Sequence, residues 1–186
     1  MRPKFLLIVM LWWLTACVST PKISYYTLAM DPSGTVNAEV NLKMEGVRTT
    51  DALSRSRILI QASPTKIEYY ATDQWAGSLA ELVRQKLSVE FGPPVEGRQT
   101  FLVTAVLLSC EQVDTATGAE ARMKLSVTVR DPAKKRYLEP LLAKTYEATR
   151  PSARPSAGAV VEALSLCAAQ IAGQIAADAN TLMAQR

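Results

Sequence analysis

The sequence predicts an α/β fold, a single domain with a mixed β-sheet of about six or seven strands packed by two main amphipathic helices. Three observations predict it. Two stretches carry apolar residues at three- and four-residue spacing, as a helix with one buried face requires. Several shorter stretches alternate apolar and polar residues, or are rich in β-branched and aromatic types, and are set off by Pro, Gly, Asp and Ser. Hydrophobic residues make up 48% of 186, with charged residues at 20%, enough apolar material for one real core.

Taken in order, residues 23–30 (ISYYTLAM) read as a strand ended by the turn signal Asp31-Pro32-Ser33-Gly34. Residues 36–45 alternate strictly: Val36, Ala38, Val40, Leu42 and Met44 on one side, Asn37, Glu39, Asn41, Lys43 and Glu45 on the other. That is a strand with one wet face. Residues 49–56 are polar and predict a loop. Residues 57–62 and 66–71 flank Ser63-Pro64-Thr65 as a hairpin would. A helix is predicted from Asp73, as its cap, to Phe91, with Leu79, Leu82, Val83, Leu87 and Phe91 on its stripe and Gly92-Pro93-Pro94 as its stop. Residues 100–110 are apolar in both phases, which predicts a central strand covered on both faces. Residues 121–130 alternate again, with Met123, Leu125, Val127 and Val129 inward. Asp131-Pro132-Ala133 then turns the chain into a strand over 137–148, where Pro140 predicts an edge or bulged position. After a linker at 150–155, Ser156 caps an alanine-rich helix reaching Met183, with Val160, Leu164, Cys167, Ile171, Ile175 and Leu182 on its stripe.

Ahead of this body, Met1-Arg2-Pro3-Lys4 is basic and residues 5–14 (FLLIVMLWWL) are apolar, followed by Leu14-Thr15-Ala16-Cys17. This is the order of a secretory signal. Ten apolar residues span only about 15 Å as a helix, against a bilayer core of about 30 Å. The Leu-x-Ala-Cys ending resembles the lipobox of bacterial lipoproteins, in which the chain is cut between Ala16 and Cys17 and the cysteine is acylated. The reading is therefore a signal peptide over 1–16, an acylated tether over 17–22 and an α/β domain over 23–186. One buried acyl chain holds a protein marginally, at about 0.8 kcal/mol per CH₂, and several hold it firmly. Val18 and Ser19 follow the cysteine, and with no Asp next to it the usual sorting rule sends such a lipoprotein to the outer membrane, facing the periplasm.

Composition removes several functions. Of 21 Lys and Arg against 17 Asp and Glu, Arg2 and Lys4 lie in the signal, leaving 19 against 17. No nucleic-acid footprint is present in that balance. The sequence holds no histidine, which excludes Ser-His-Asp and Cys-His nucleophilic sites and imidazole metal ligands. No phosphate loop, CxxC or paired carboxylates appear, so the sequence assigns no enzyme activity, cofactor or metal.

The remaining candidates each carry a plain alternative. Cys110 and Cys167 either form a disulfide in an oxidising compartment or act as two buried, small apolar residues. Tyr25 and Tyr26, like Tyr69 and Tyr70, are adjacent on strands, so one of each pair faces the core and its neighbour faces out. Trp75 either anchors a partner or plugs the helix–sheet junction. Lys134, Lys135 and Arg136 form a basic hairpin tip, for anionic headgroups or an acidic partner or simply as a solvated turn. Glu111, Asp114 and Glu120 cluster around a turn without the ligand spacing of a calcium loop.

With these pieces in place the chain resembles a known family. Tyr25-Tyr26-Thr27-Leu28 follows the lipobox, and Leu53-Ser54-Arg55-Ser56-Arg57-Ile58 stands where a Leu-Asp-Arg-x-x-Ile pattern is usual. Tyr70-Ala71-Thr72-Asp73-Gln74-Trp75-Ala76 leads into a helix, and Val161-Glu162-Ala163-Leu164-Ser165 lies in the terminal one. These resemble the ABC-type transport auxiliary lipoproteins, which include the paraquat-inducible lipoprotein C group. Ser54 replaces the usual Asp, Gly77-Ser78 an acidic-proline step, and Gly118-Ala119-Glu120-Ala121-Arg122-Met123 a Gly-x-Ala-x-Leu pattern. The resemblance implies a non-enzymatic docking component of an envelope lipid-transport system. Its partners would be a mammalian-cell-entry domain protein and an ABC transporter or related inner-membrane component, met as a homo-oligomeric ring. The alternative from another class is a membrane-tethered carrier that holds a lipid in its own body.

Overall fold

The longest strands organise the molecule. In the computed structural model, which describes residues 21–134 and 139–185, β5 (Thr100–Thr115) and β6 (Gly118–Arg130) form one long antiparallel hairpin closed by Ala116-Thr117. On its other side β5 takes two parallel neighbours in succession. The first is β2 (Asn41–Thr49), along residues 100–107, and the second is β3 (Arg57–Ser63), along residues 111–113. Antiparallel to β3 lies β4 (Lys66–Trp75), and β1 (Ser24–Tyr26) adds a parallel edge to β4. The opposite edge is β7 (Leu142–Pro151), antiparallel to β6. The order is β1-β4-β3-β5-β6-β7 with β2 beside β5, a mixed seven-stranded sheet. Two helices, α1 (Leu79–Phe91) and α2 (Ala157–Ala184), complete one α/β domain, as the sequence predicts.

The core lies between the sheet and the helices. On β6 every second residue from Ala119 to Val129 is buried. Opposite them, Val160, Leu164, Cys167, Ile171 and Ile175 of α2 are fully buried, as the stripe predicts, while its last member, Leu182, is half-buried. This burial explains why α2, though long and apolar enough to cross a membrane, is the core helix of a folded domain. Gly92 ends α1 in a positive-φ conformation (φ 74°) that favours glycine.

Five expectations need correction. The strand expected over 137–148 runs from Leu142 to Pro151, so Pro140 precedes it and Arg150 and Pro151 are strand and not linker, although it is an edge as expected. Residues 73–75 are strand, not helix: Ser24, Tyr25 and Tyr26 pair with Asp73, Gln74 and Trp75, and the Trp75 amide donates to the Ser56 carbonyl. The helix starts only at Leu79, with Ser78 at its cap position. The strand expected over 36–45 keeps its phase, with Val40, Leu42 and Met44 buried, but runs from Asn41 to Thr49 because that is where β5 offers partners. Of the strand expected over 23–30, only Ser24–Tyr26 pairs. β5 is not covered on both faces. Phe101, Val103, Ala105 and Leu107 are buried, whereas Leu102, Thr104 and Val106 are half-buried and Leu108, at a bulge, is exposed. Among the described residues both α-helices pack on one side, and no α-helix lies on the other face of the sheet.

Candidate functional site

The stretch between β1 and β2 is a strap. Leu28 enters the core, and the Ala29 amide donates to Ser165 Oγ on α2 at 3.0 Å. Further on, Lys86 Nζ on α1 donates to the Asp31 carbonyl at 2.8 Å, and Ser33 donates to Glu90 through its amide (3.1 Å) and its hydroxyl (2.6 Å). Lys86 and Glu90 bind each other at 2.6 Å with side chains 4% and 0% exposed. Burial pushes the Glu90 carboxyl up, but the bonds from Lys86 and Ser33 outweigh it and hold the group below the ordinary carboxylate value. Near the strap's end, Asn180 accepts from the Glu39 amide at 2.8 Å and donates to the Asn37 carbonyl at 2.9 Å. The chain's own strap therefore covers part of the helical layer.

Among the described residues no α-helix covers the opposite face of the sheet, called bare below, although Leu59 and Glu111 at one end of it are buried. A groove of about 450 Å³ lies there, lined by Gly46 and Arg48 of β2, Thr104 and Val106 of β5, and Ser126 and Thr128 of β6. Register explains it: Thr104 pairs with Gly46 and with Thr128, so a glycine and two short side chains fall on one rung. A second groove of about 470 Å³ lies beside Met44, Phe91 and Pro93. At the other end of the bare face, Arg122 Nη2 binds Glu111 Oε1 at 2.6 Å and donates to Gln61. That ion pair neutralises the most buried member of the acidic cluster, and Asp114 accepts from Gln112 at 2.6 Å. Among the described residues no group of carboxylates or thiols is arranged to hold a metal ion.

The sequence-predicted residues separate clearly. Tyr25 is 65% exposed. Tyr26 turns towards the helices and its hydroxyl donates to Asp73 Oδ1 at 2.9 Å. Trp75 is 3% exposed, so it belongs to the core and not to a partner surface. Cys110 and Cys167 are free, buried thiols. Burial pushes the Cys110 thiol up strongly and the Cys167 thiol to about 11, which makes both poor nucleophiles at neutral pH. Lys134 is exposed; Lys135, Arg136, Ala16 and Cys17 lie outside the described residues. The strap and the bare face went unread in the sequence. Lys86 and Glu90 carried a visible signal, since both sit at helical spacing on the stripe of Leu79, Leu82 and Val83.

Comparison with known proteins agrees with this architecture. A family model described as the ABC-type transport auxiliary lipoprotein component matches residues 26–176. A crystal structure of a Xanthomonas campestris protein of family DUF330 superposes with a TM-score of 0.70 at 14% identity, covering 88% of this chain and 98% of that one. A crystal structure of an uncharacterized protein gives 0.66 at 15%, covering 85% and 99%. At such identities the likeness is one of fold. No curated protein matches the chain.

Proposed function

Because this chain belongs to the ABC-type transport auxiliary lipoprotein family, we propose that it docks the periplasmic part of an ABC-type, mammalian-cell-entry protein-linked lipid transporter at the outer membrane. Acyl chains on Cys17 hold it to the leaflet, and the body contributes position and surface rather than catalysis. The observation that carries this reading is the lipobox-like Leu14-Thr15-Ala16-Cys17 in front of a family domain in which, among the described residues, no α-helix covers one face of the sheet. Family membership supplies the transport system. The bare face supplies the docking surface, since the strap occupies part of the helical side.

The chemistry is consistent with a non-enzymatic role. Histidine is absent and burial disfavours the thiolate form of both described cysteines. A carrier reading would need an enclosed apolar cavity of ligand size, whereas the two grooves above open on the surface.

Two measurements test the proposal. Radioactive palmitate should label the native chain and not Cys17→Ser, and only the native chain should sediment with outer membranes. Crosslinking followed by purification should recover a mammalian-cell-entry protein. Failure to recover one from an otherwise intact transport complex would overturn the docking role.

A further inference from the structure

The sheet has two distinguishable ends, and the tether can reach only one. One end holds the β3–β4 turn, the β5–β6 turn and the end of β7; Pro151 pairs with Glu120, next to the turn at Gly118. The other end holds Leu102 paired with Arg130, with Lys134 a few residues beyond it. The 13 residues of β6 separate these ends by about 44 Å.

β1 fixes where the chain enters. Ser24 pairs with Asp73, Gln74 pairs with Arg57, and Leu59 pairs with Glu111, so Ser24 stands roughly level with Glu111. That rung lies about 14 Å from the β5–β6 turn and about 30 Å from the Leu102 end. β1 runs parallel to β4, which descends from its turn at Lys66 towards Trp75. Followed backwards from Ser24, the chain therefore heads for the β3–β4 turn. Cys17 lies seven residues before Ser24, a distance of at most about 25 Å even when fully extended.

The edge along this path is apolar where it meets water. Ile23 is 45%, Tyr25 65% and Ile67 53% exposed. Their side is set by their neighbours. Tyr26 faces the helices, its ring 3.7 Å from the position a Cβ on Gly158 would take, so Tyr25 and Ile23 face the bare side. Ile67 pairs with Gln61, whose amide oxygen meets Arg122 on that same side. Lys22 and Lys66 flank the three, and Lys66 is paired with Glu68.

We propose that Ile23, Tyr25 and Ile67 form a membrane-seating patch that enters the headgroup layer of the leaflet holding the acyl anchor, so that Lys134 and the Gly46–Thr104–Thr128 groove lie towards the far end of the strands from it. The proposal rests on acylation of Cys17. An aromatic ring and two branched aliphatic side chains beside lysines are the composition of an interfacial contact. Seating this edge places Lys134 at the membrane-distal end, where it meets soluble partners and not headgroups.

The buried native thiols make cysteine labelling a clean test. Tyr25→Cys, Ile67→Cys and Lys134→Cys would be introduced singly into the full-length lipoprotein and treated with a membrane-impermeant maleimide. The reaction would be run on inverted and permeabilised outer-membrane vesicles and again in detergent. At positions 25 and 67, labelling on vesicles is expected to be at least about fivefold slower than in detergent, as burial in the interface implies, with no difference at position 134. Equal rates at all three positions, or protection at 134 alone, would overturn the seating while leaving the anchor intact. Recovery of the protein in the soluble fraction, without palmitate label, would instead overturn the anchor itself.

Discussion

Lys86 and Glu90 occupy stripe positions where α1 would ordinarily place apolar side chains, and the cost of burying two charges is met by mutual pairing and by the strap. Removing one partner leaves the other charged and desolvated, a loss of about 3–5 kcal/mol. Lys86→Met should therefore lower stability by that order in urea unfolding, while Lys86→Met with Glu90→Leu should recover much of the loss. A double variant as unstable as the sum of the singles would refute the pairing. The same site sets an acid limit. The folded Glu90 carboxyl titrates below its ordinary value of 4.5, so its contribution is fully present above that value. It is lost as pH falls from about 4.5 through the lower folded value. Unfolding midpoints measured from pH 7 to 3 should decline in that window, and the decline should shrink in the double variant. For Cys110 and Cys167, both 0% exposed, maleimide should react in the protein purified without reductant only after denaturation. Absence of reaction even then, reversed by a reductant, would reveal that the native compartment joins them.

The two helices behave differently towards substitution because their glycines do different work. Gly173 lies inside α2, and a methyl group added there would meet nothing within 4 Å, so Gly173→Ala adds helix propensity without a clash. It should stabilise by about 0.5–1 kcal/mol and raise Tm by about 1–4 °C in calorimetry. Gly92 holds φ 74° at the end of α1, so Gly92→Ala should destabilise by about 1 kcal/mol. The stop at Gly92-Pro93-Pro94, the Ser63-Pro64-Thr65 turn and the α2 stripe were legible because each depends on neighbouring residues alone. The entry to α1 was not. Nothing local marks residues 73–75 as strand, and their conformation comes from a β1 partner about fifty residues earlier in the chain. The one-sided burial of β5 was hidden for a related reason. Leu102, Val106 and Leu108 look like core in sequence, and only the placement of both helices on one side leaves them half-covered or exposed.

At the scale of the whole molecule, the bare sheet face and the strapped helical face make opposite predictions for docking. Strand alternation showed that one of Tyr25 and Tyr26 faces out but not which, and the groove was not readable at all, because Gly46, Thr104 and Thr128 come from three strands that only the sheet order brings onto one rung. Ser126 sits in that groove, paired with Val106 and pointing away from the core. Ser126→Arg fills the depression with volume and charge at a solvent-facing position, where substitutions typically shift stability by no more than about 0.5 kcal/mol. Glu162 is exposed on α2, and Glu162→Arg alters the helical side equally mildly. If the transporter meets the bare face, Ser126→Arg abolishes crosslinked recovery of the mammalian-cell-entry protein while Glu162→Arg leaves it unchanged, with Tm and palmitate labelling the same in both. The reverse pattern would assign the interface to the exposed side of α2, and the groove would then be no more than the gap left by one glycine among short side chains.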